Sequence, residues 1–152
     1  MPDTEFKLEF SDEQIQHIKK YGNERLTCKV PTILIVEDQE FSRKLMEGLL
    51  NKTYVCYSAA NAREALELYA EHIPCIMFLD IELPDCNGHD FAAFIKKNDP
   101  ASFIVMVTAN NYVKDVTRSC ENKVDGLIAQ PFSKQKIVAG IEKYINERKL
   151  KQ

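Results

Sequence analysis

Two kinds of hydrophobic pattern alternate along the chain. Thr32-Ile33-Leu34-Ile35-Val36, Cys75-Ile76-Met77-Phe78-Leu79 and Phe103-Ile104-Val105-Met106-Val107 are runs without a charged residue, the first of them rich in β-branched side chains. Such runs predict strands buried on both faces. Tyr54–Tyr57 and Leu127–Ala129 predict two shorter strands. Between the strands, apolar residues recur at helical spacing: Phe41, Leu45 and Leu49; Ala62, Ala65, Leu66 and Tyr69; Phe91, Phe94 and Ile95; Ile137, Val138, Ile141 and Ile145. They predict helices over 40–50 and 62–71, a third ended by Asn98-Asp99-Pro100, and a last one capped by Ser133, with 112–122 as the remaining helix. Five strands alternating with five helices imply an α/β fold, a parallel sheet with helices on both faces. Right-handed crossovers leave few topologies.

Residues 1–30 stand apart as a polar arm. Ser11 followed by Gln14 forms a capping box, and Phe10 and Ile15 occupy the hydrophobic-staple positions around it. With Gly22 as a stop, a short helix is expected over about 12–21. Its narrow stripe of Ile15, Ile18 and Tyr21 must pack on the main domain, a second copy or a partner. The main domain is expected to span 31–147, and 148–152 to form a solvated tail.

Composition narrows the function classes. At 152 residues the chain has one domain's length and can bury a core without disulfide or metal staples. A net charge of −3 argues against a non-specific nucleic-acid binder. No apolar run approaches the roughly 20 residues of a membrane helix, and the acidic start lacks a signal-peptide layout. A cytoplasmic protein is expected. Five cysteines without a CxxC read as free thiols, and the scattered His17, His72 and His89 match no zinc spacing.

In open α/β sheets the site lies at the carboxyl ends of the strands. Here those ends carry Glu37-Asp38, Asp80, Thr108 and Gln130-Pro131. Three carboxylates in one crevice repel, and a divalent cation relieves the repulsion. Mg²⁺ suits such a donor set, held by carboxylates, water and phosphate oxygens. Acid pairs at strand ends also occur as plain solvated loop residues, but two such clusters, each behind an apolar run, weigh toward the metal. Asp80 is then the candidate nucleophile, able to accept a phosphoryl group as an acyl phosphate. The Thr108 hydroxyl can bond a phosphoryl oxygen.

These residues resemble the receiver domains of two-component response regulators. The resemblance is carried by Ile33-Leu34-Ile35-Val36-Glu37-Asp38, by Phe78-Leu79-Asp80-Ile81-Glu82-Leu83-Pro84-Asp85-Cys86-Asn87-Gly88, by Val107-Thr108-Ala109, and by Asp125-Gly126 with Gln130-Pro131-Phe132. The spacings are 42 residues (38 to 80), 28 (80 to 108) and 22 (108 to 130). The resemblance implies a flavodoxin-like, doubly wound sheet of order 2-1-3-4-5. It implies Mg²⁺ at Glu37, Asp38, Asp80 and the backbone carbonyl of Glu82. Asp80 would accept phosphate from a histidine kinase or a histidine phosphotransfer protein. Thr108, Ala109 and position 130 would bind the phosphoryl group and take part in the switch, while Glu82 and Asn110 would tune its lifetime.

Two positions depart from the family. Gln130 stands where the family has Lys, offering a hydrogen bond but no charge. Leu127 stands where the family has an aromatic switch residue. Both favour the competing expectation, a phosphorylation-independent pseudo-receiver that acts only as a protein-interaction module. A flavin protein would want a Ser/Thr/Gly-rich loop in place of Glu37-Asp38-Gln39-Glu40. A phosphatase of the haloacid-dehalogenase type would want Asp, not Glu82, two residues past the nucleophile. The resemblance further implies no enzyme activity beyond the receiver's own phosphorylation and dephosphorylation. It places the kinase-side contact near Phe41, Ser42 and Lys44. Output to a downstream protein would use the fourth receiver helix, fifth strand and last helix, with Tyr112, Lys114, Asp115, Arg118, Lys134 and Lys136. A homodimer would use that face or the N-terminal helix.

Overall fold

The computed structural model describes residues 6–109, 113–130 and 132–151. Five parallel strands form one sheet: β1 (Thr32–Val36), β2 (Val55–Ala59), β3 (Ile76–Asp80), β4 (Ile104–Thr108) and β5 (Gly126–Ala129). Their spatial order is β2-β1-β3-β4-β5, as expected. Among the described residues the α-helices are α1 (Asp12–Tyr21), α2 (Glu40–Leu50), α3 (Ala62–His72), α4 (Gly88–Asn98), α5 (Val113–Glu121) and α6 (Lys134–Lys151).

The unbroken apolar runs follow from two cores, one on each face. Successive strand residues point to opposite sides. Leu34, Val36, Met77, Leu79, Ile104 and Met106 therefore meet Ala65, Leu66 and Tyr69 of α3 and Phe91 and Ile95 of α4. Ile33, Ile35, Ile76, Phe78, Val105 and Val107 meet Met46 and Leu50 of α2 and Ile137 and Ile141 of α6. β2 is an edge strand with Val55 exposed, which explains its weaker apolar signal.

The arm packs on its own domain. The capping box is present, with the Gln14 N–H on Ser11 Oγ at 3.1 Å and the Ser11 N–H on Gln14 Oε1 at 2.8 Å. Ile18 is buried and Ile15 packs beside it in the α3–α4 core. Phe10 lies 5.0 Å from the Phe94 ring and 6.4 Å from the Tyr69 ring, centroid to centroid. Ile15 and Ile18 of the α1 stripe are thus covered by the same chain, while Tyr21 is exposed. Gly22 stays right-handed at φ −58°, so the chain runs on into a short 3-10 helix, Glu24–Thr27, absent from the sequence expectation.

Arg25 of that turn is buried and reaches Asp99, just past α4. Its Nη1 and Nη2 each lie 2.7 Å from an Asp99 carboxylate oxygen, and the Tyr69 hydroxyl donates to Oδ2 at 2.6 Å. Burial alone would lower the Arg25 pKa, but Asp99 and Tyr69 outweigh it and hold it above its ordinary value. Burial, and then the Asp99 charge, push the Tyr69 hydroxyl up.

The expected tail at 148–152 differs: α6 continues as helix through Lys151. Arg148 donates to the Cys28 carbonyl at 2.7 Å and lies over the Tyr144 ring, which holds the helix end against the arm. The Ser133 cap is as expected, its Oγ accepting from the Lys136 N–H at 3.2 Å.

Candidate functional site

Strand register brings the predicted site residues together. Val36 pairs with Leu79, Asp80 with Val107, and Thr108 with Ala129. Glu37-Asp38, Asp80, Thr108 and Gln130 therefore leave the sheet at one edge. Glu37, Asp38 and Asp80 each place a carboxylate oxygen within 4.8 Å of the other two. Glu37 is buried, Asp80 half-buried and Asp38 exposed.

The electrostatics are those of crowded acids. Burial first, then the adjoining Glu37 carboxyl, push the Asp80 carboxyl up to about 9, with Asp38 adding to the rise. The Glu82 N–H, 3.2 Å from Asp80 Oδ1, opposes it. Folding thus favours protonated Asp80. Its stabilising contribution is complete below the ordinary carboxylate range and is lost as pH rises toward 9. In EDTA-treated protein at pH 8, Asp80→Asn is expected to raise stability by about 1 kcal/mol, roughly 3 °C in Tm, after allowing for solvent screening at a half-buried group. Thermal melts from pH 5 to 8 check this; a variant that melts no higher than wild type at pH 8 refutes it.

The donor set fits Mg²⁺. Glu37 Oε2 is buried and has no hydrogen-bond partner. All three donors are hard oxygens, and an octahedral shell of about 2.1 Å radius sets its oxygens roughly 3.0 to 4.2 Å apart, inside the 4.8 Å that bounds these three. Glu82 follows two residues after Asp80 and is exposed.

The loop after Asp80 is held tightly. Glu82 and Asn87 form an antiparallel bridge, and the Gly88 N–H donates to the Ile81 carbonyl at 2.6 Å. Asn87 caps α4 through the His89 N–H at 2.7 Å. Asp85, expected only as a turn residue, caps α3 instead, accepting from the Ala62 and Arg63 N–H groups at 2.8 and 3.0 Å.

Thr108 is buried at the end of β4, and its carbonyl accepts the Gln130 N–H at 2.7 Å. Gln130 lines an open groove of about 410 Å³ with Phe41, Ser42, Leu45, Ala109 and Phe132. Phe41 is 80% exposed and Leu45 45%. Leu127 packs against the core formed with α3 and α4. Asn110 and Tyr112 lie outside the described residues, as do the side chains of Lys114 and Asp115. Arg118 is exposed and pairs with Asp90 at 2.6 Å. Arg43 was not foreseen as part of the site: its Nη1 donates to the Glu37 carbonyl at 2.9 Å, with the Asp38 carbonyl at 3.4 Å. Its only sequence signal is an Arg five residues past Asp38, which reads equally well as a solvated helix residue.

Residues 33–142 match the family described as response regulator receiver domain. The chain belongs to the response regulator receiver family. This receiver is 30% identical to the chemotaxis protein CheY of Halobacterium salinarum over 110 residues, covering 72% of this chain and 92% of that one. It is 32% identical to the CheY of Thermotoga maritima over 113 residues, covering 73% and 94%. The polar-differentiation response regulator DivK of Brucella anthropi is 29% identical over 76% of this chain and 97% of that one. The receiver domain of a CheY-like protein from Methanospirillum hungatei superposes with a TM-score of 0.76 at 23% identity, over 82% of this chain and all of that one. The chain is thus a receiver domain homologous to regulators of two-component signalling. Among the described residues, no helix of this receiver is long and apolar enough to cross a membrane.

Proposed function

We propose that this receiver accepts a phosphoryl group on Asp80 from a histidine kinase or histidine phosphotransfer protein in the cytoplasm, and signals by binding another protein. One observation carries the reading: three carboxylate oxygens lie within 4.8 Å of one another at the carboxyl edge of a receiver sheet, one from a buried Glu37 whose Oε2 has no partner. Glu37, Asp38, Asp80 and the Glu82 carbonyl would hold Mg²⁺. When bound, the ion neutralises both the carboxylates and the incoming phosphoryl oxygens. An Asp80 carboxylate oxygen attacks the phosphorus of a phosphohistidine. The P–N bond breaks as the O–P bond forms, and the imidazole leaves with a proton. Thr108, buried at the end of β4, offers its hydroxyl to a phosphoryl oxygen.

The apolar groove beside Gln130, rimmed by the exposed Phe41 and Leu45, suits the donor protein's docking surface. The downstream contact is proposed at α5, β5 and α6, as is any self-association, since Ile15 and Ile18 of α1 already pack on the chain's own core. No catalytic turnover is proposed beyond the receiver's own phosphorylation and dephosphorylation.

Incubation with Mg²⁺ and acetyl phosphate, followed by intact-mass measurement, tests the proposal. A gain of one phosphate that Asp80→Asn abolishes is the expected result. Gln130 favours the second reading, a phosphorylation-independent interaction module, because it brings no fixed charge to the phosphoryl group. No mass gain with acetyl phosphate or with phosphorylated kinase would decide for that reading.

A further inference from the structure

Glu37 and Asp38 pose a geometric problem. Consecutive residues of an extended chain point to opposite sides, yet just past the end of β1 both carboxylates reach the same point near Asp80. The backbone bends at Asp38 and is extended again at Gln39, with φ −80° and ψ 118°. Glu37 is tied on its N–H side, which donates to the Ala59 carbonyl at 3.0 Å. Beyond it the usual staple is missing. Gln39 is the N-cap of α2 and makes no side-chain capping bond. A different tie, donated to carbonyls rather than accepted from helix N–H groups, comes from inside the helix. Arg43 reaches back to the bend, with Nη1 2.9 Å from the Glu37 carbonyl and 3.4 Å from the Asp38 carbonyl. The single Nη1 group thus spans the carbonyls of Glu37 and Asp38, two of the three residues that supply carboxylates. A guanidinium is suited to this, because Nη1 carries two N–H donors held in a fixed plane and its charge is permanent.

We propose that Arg43 is a positioning residue for the divalent-cation site: it fixes the bend at Asp38 and so sets the two carboxylates at the spacing the cation needs. The inference rests on the Mg²⁺ reading above and adds a residue to it. Partners that orient metal ligands from outside the coordination shell are worth 10- to 100-fold in affinity. Arg43 also brings a fixed positive charge to the bend in a chain whose β5 end carries Gln130 rather than a cation.

The test compares wild type with Arg43→Met, Arg43→Lys and Asp38→Asn in the full chain. Arg43→Met keeps an unbranched apolar stem in α2 and removes the donors. Mg²⁺ alone is titrated calorimetrically. Arg43→Met is expected to weaken Mg²⁺ binding about tenfold, and Arg43→Lys by less, since one ammonium reaches one carbonyl. Metal-free melting is expected to stay within about 2 °C of wild type. Amide hydrogen exchange on metal-free protein gives the second readout: Arg43→Met speeds exchange at Asp38 and Gln39 several-fold and leaves β3 unchanged. Equal Mg²⁺ affinity in wild type and Arg43→Met overturns the inference and leaves the phosphoacceptor reading intact. If wild type and Asp38→Asn both fail to bind Mg²⁺, the cation reading itself falls. Exchange then still decides for Arg43, and unchanged rates at residues 38 and 39 overturn its role.

Discussion

Asp99→Ala is expected to destabilise the fold by about 3–5 kcal/mol, measured by urea denaturation. Asp99 and Arg25 are each only 5% exposed. The two groups meet through paired 2.7 Å contacts, and the Tyr69 hydroxyl adds a third bond at 2.6 Å. Removing the carboxylate leaves a guanidinium buried and uncompensated, and that penalty dominates the loss. A domain of this size has roughly 5–15 kcal/mol in total, so the variant sits near the edge of folding. The double variant Arg25→Met/Asp99→Leu removes both charges and is expected to recover most of the stability, because an apolar pair of similar volume is often no worse than a buried ion pair. The single variant also cuts the arm's anchor to α4, so amides of α1 should exchange faster than those of β3. A loss below 1 kcal/mol for Asp99→Ala would show that the pair is solvated in solution.

That ion pair also marks where sequence reasoning stops. The strands and the acid cluster were legible because each has a local signature. A strand buried on both faces is apolar at every position, and the end of such a run locates the carboxyl edge of the sheet. Arg25 and Asp99 are 74 residues apart and carry no pattern linking them; Asp99-Pro100 reads only as the end of α4. The α1 stripe was visible in Ile15 and Ile18, but its partner was not, since an apolar stripe states that a face is covered and not by what. Arg43 was invisible for another reason. A carbonyl-binding Arg at the start of an amphipathic helix has the same sequence spacing as a solvated one. The predicted tail was misjudged because polar residues after Ile145 look free, while the anchor of Arg148 is the carbonyl of Cys28, 120 residues away. For Asp99, α1 and Arg148 a local signal located the element and a long-range contact set its role, whereas Arg43 acts across only five and six residues.

Gly88→Ala is expected to damage the site more than its size suggests. Gly88 opens α4 where the loop from Asp80 closes on itself, and its N–H is 2.6 Å from the Ile81 carbonyl. An added Cβ would meet the Asp80 carbonyl oxygen most closely, and would lie 2.6 Å from Ile81 Cα and 2.8 Å from the Ile81 oxygen. All three neighbours are backbone atoms, so no side chain can swing aside. Gly88 does not need positive φ, since no glycine among the described residues has one. The requirement is close approach alone. Relieving the overlap moves the loop by roughly 1 Å, enough to lose dispersion contacts and strain the Glu82–Asn87 bridge. The expected loss is about 2–3 kcal/mol in urea denaturation. The functional loss is expected to be larger in proportion, because the displaced residue is Asp80 itself: Mg²⁺ affinity should fall at least tenfold. Gly48→Ala is the control. It lies inside α2, and its Cβ would have nothing within 4 Å, so Ala there is expected to stabilise by about 0.5–1 kcal/mol and leave Mg²⁺ binding unchanged. If Gly88→Ala matched Gly48→Ala in both stability and Mg²⁺ affinity, the close approach of Gly88 to Asp80 would have no part in shaping the acid site.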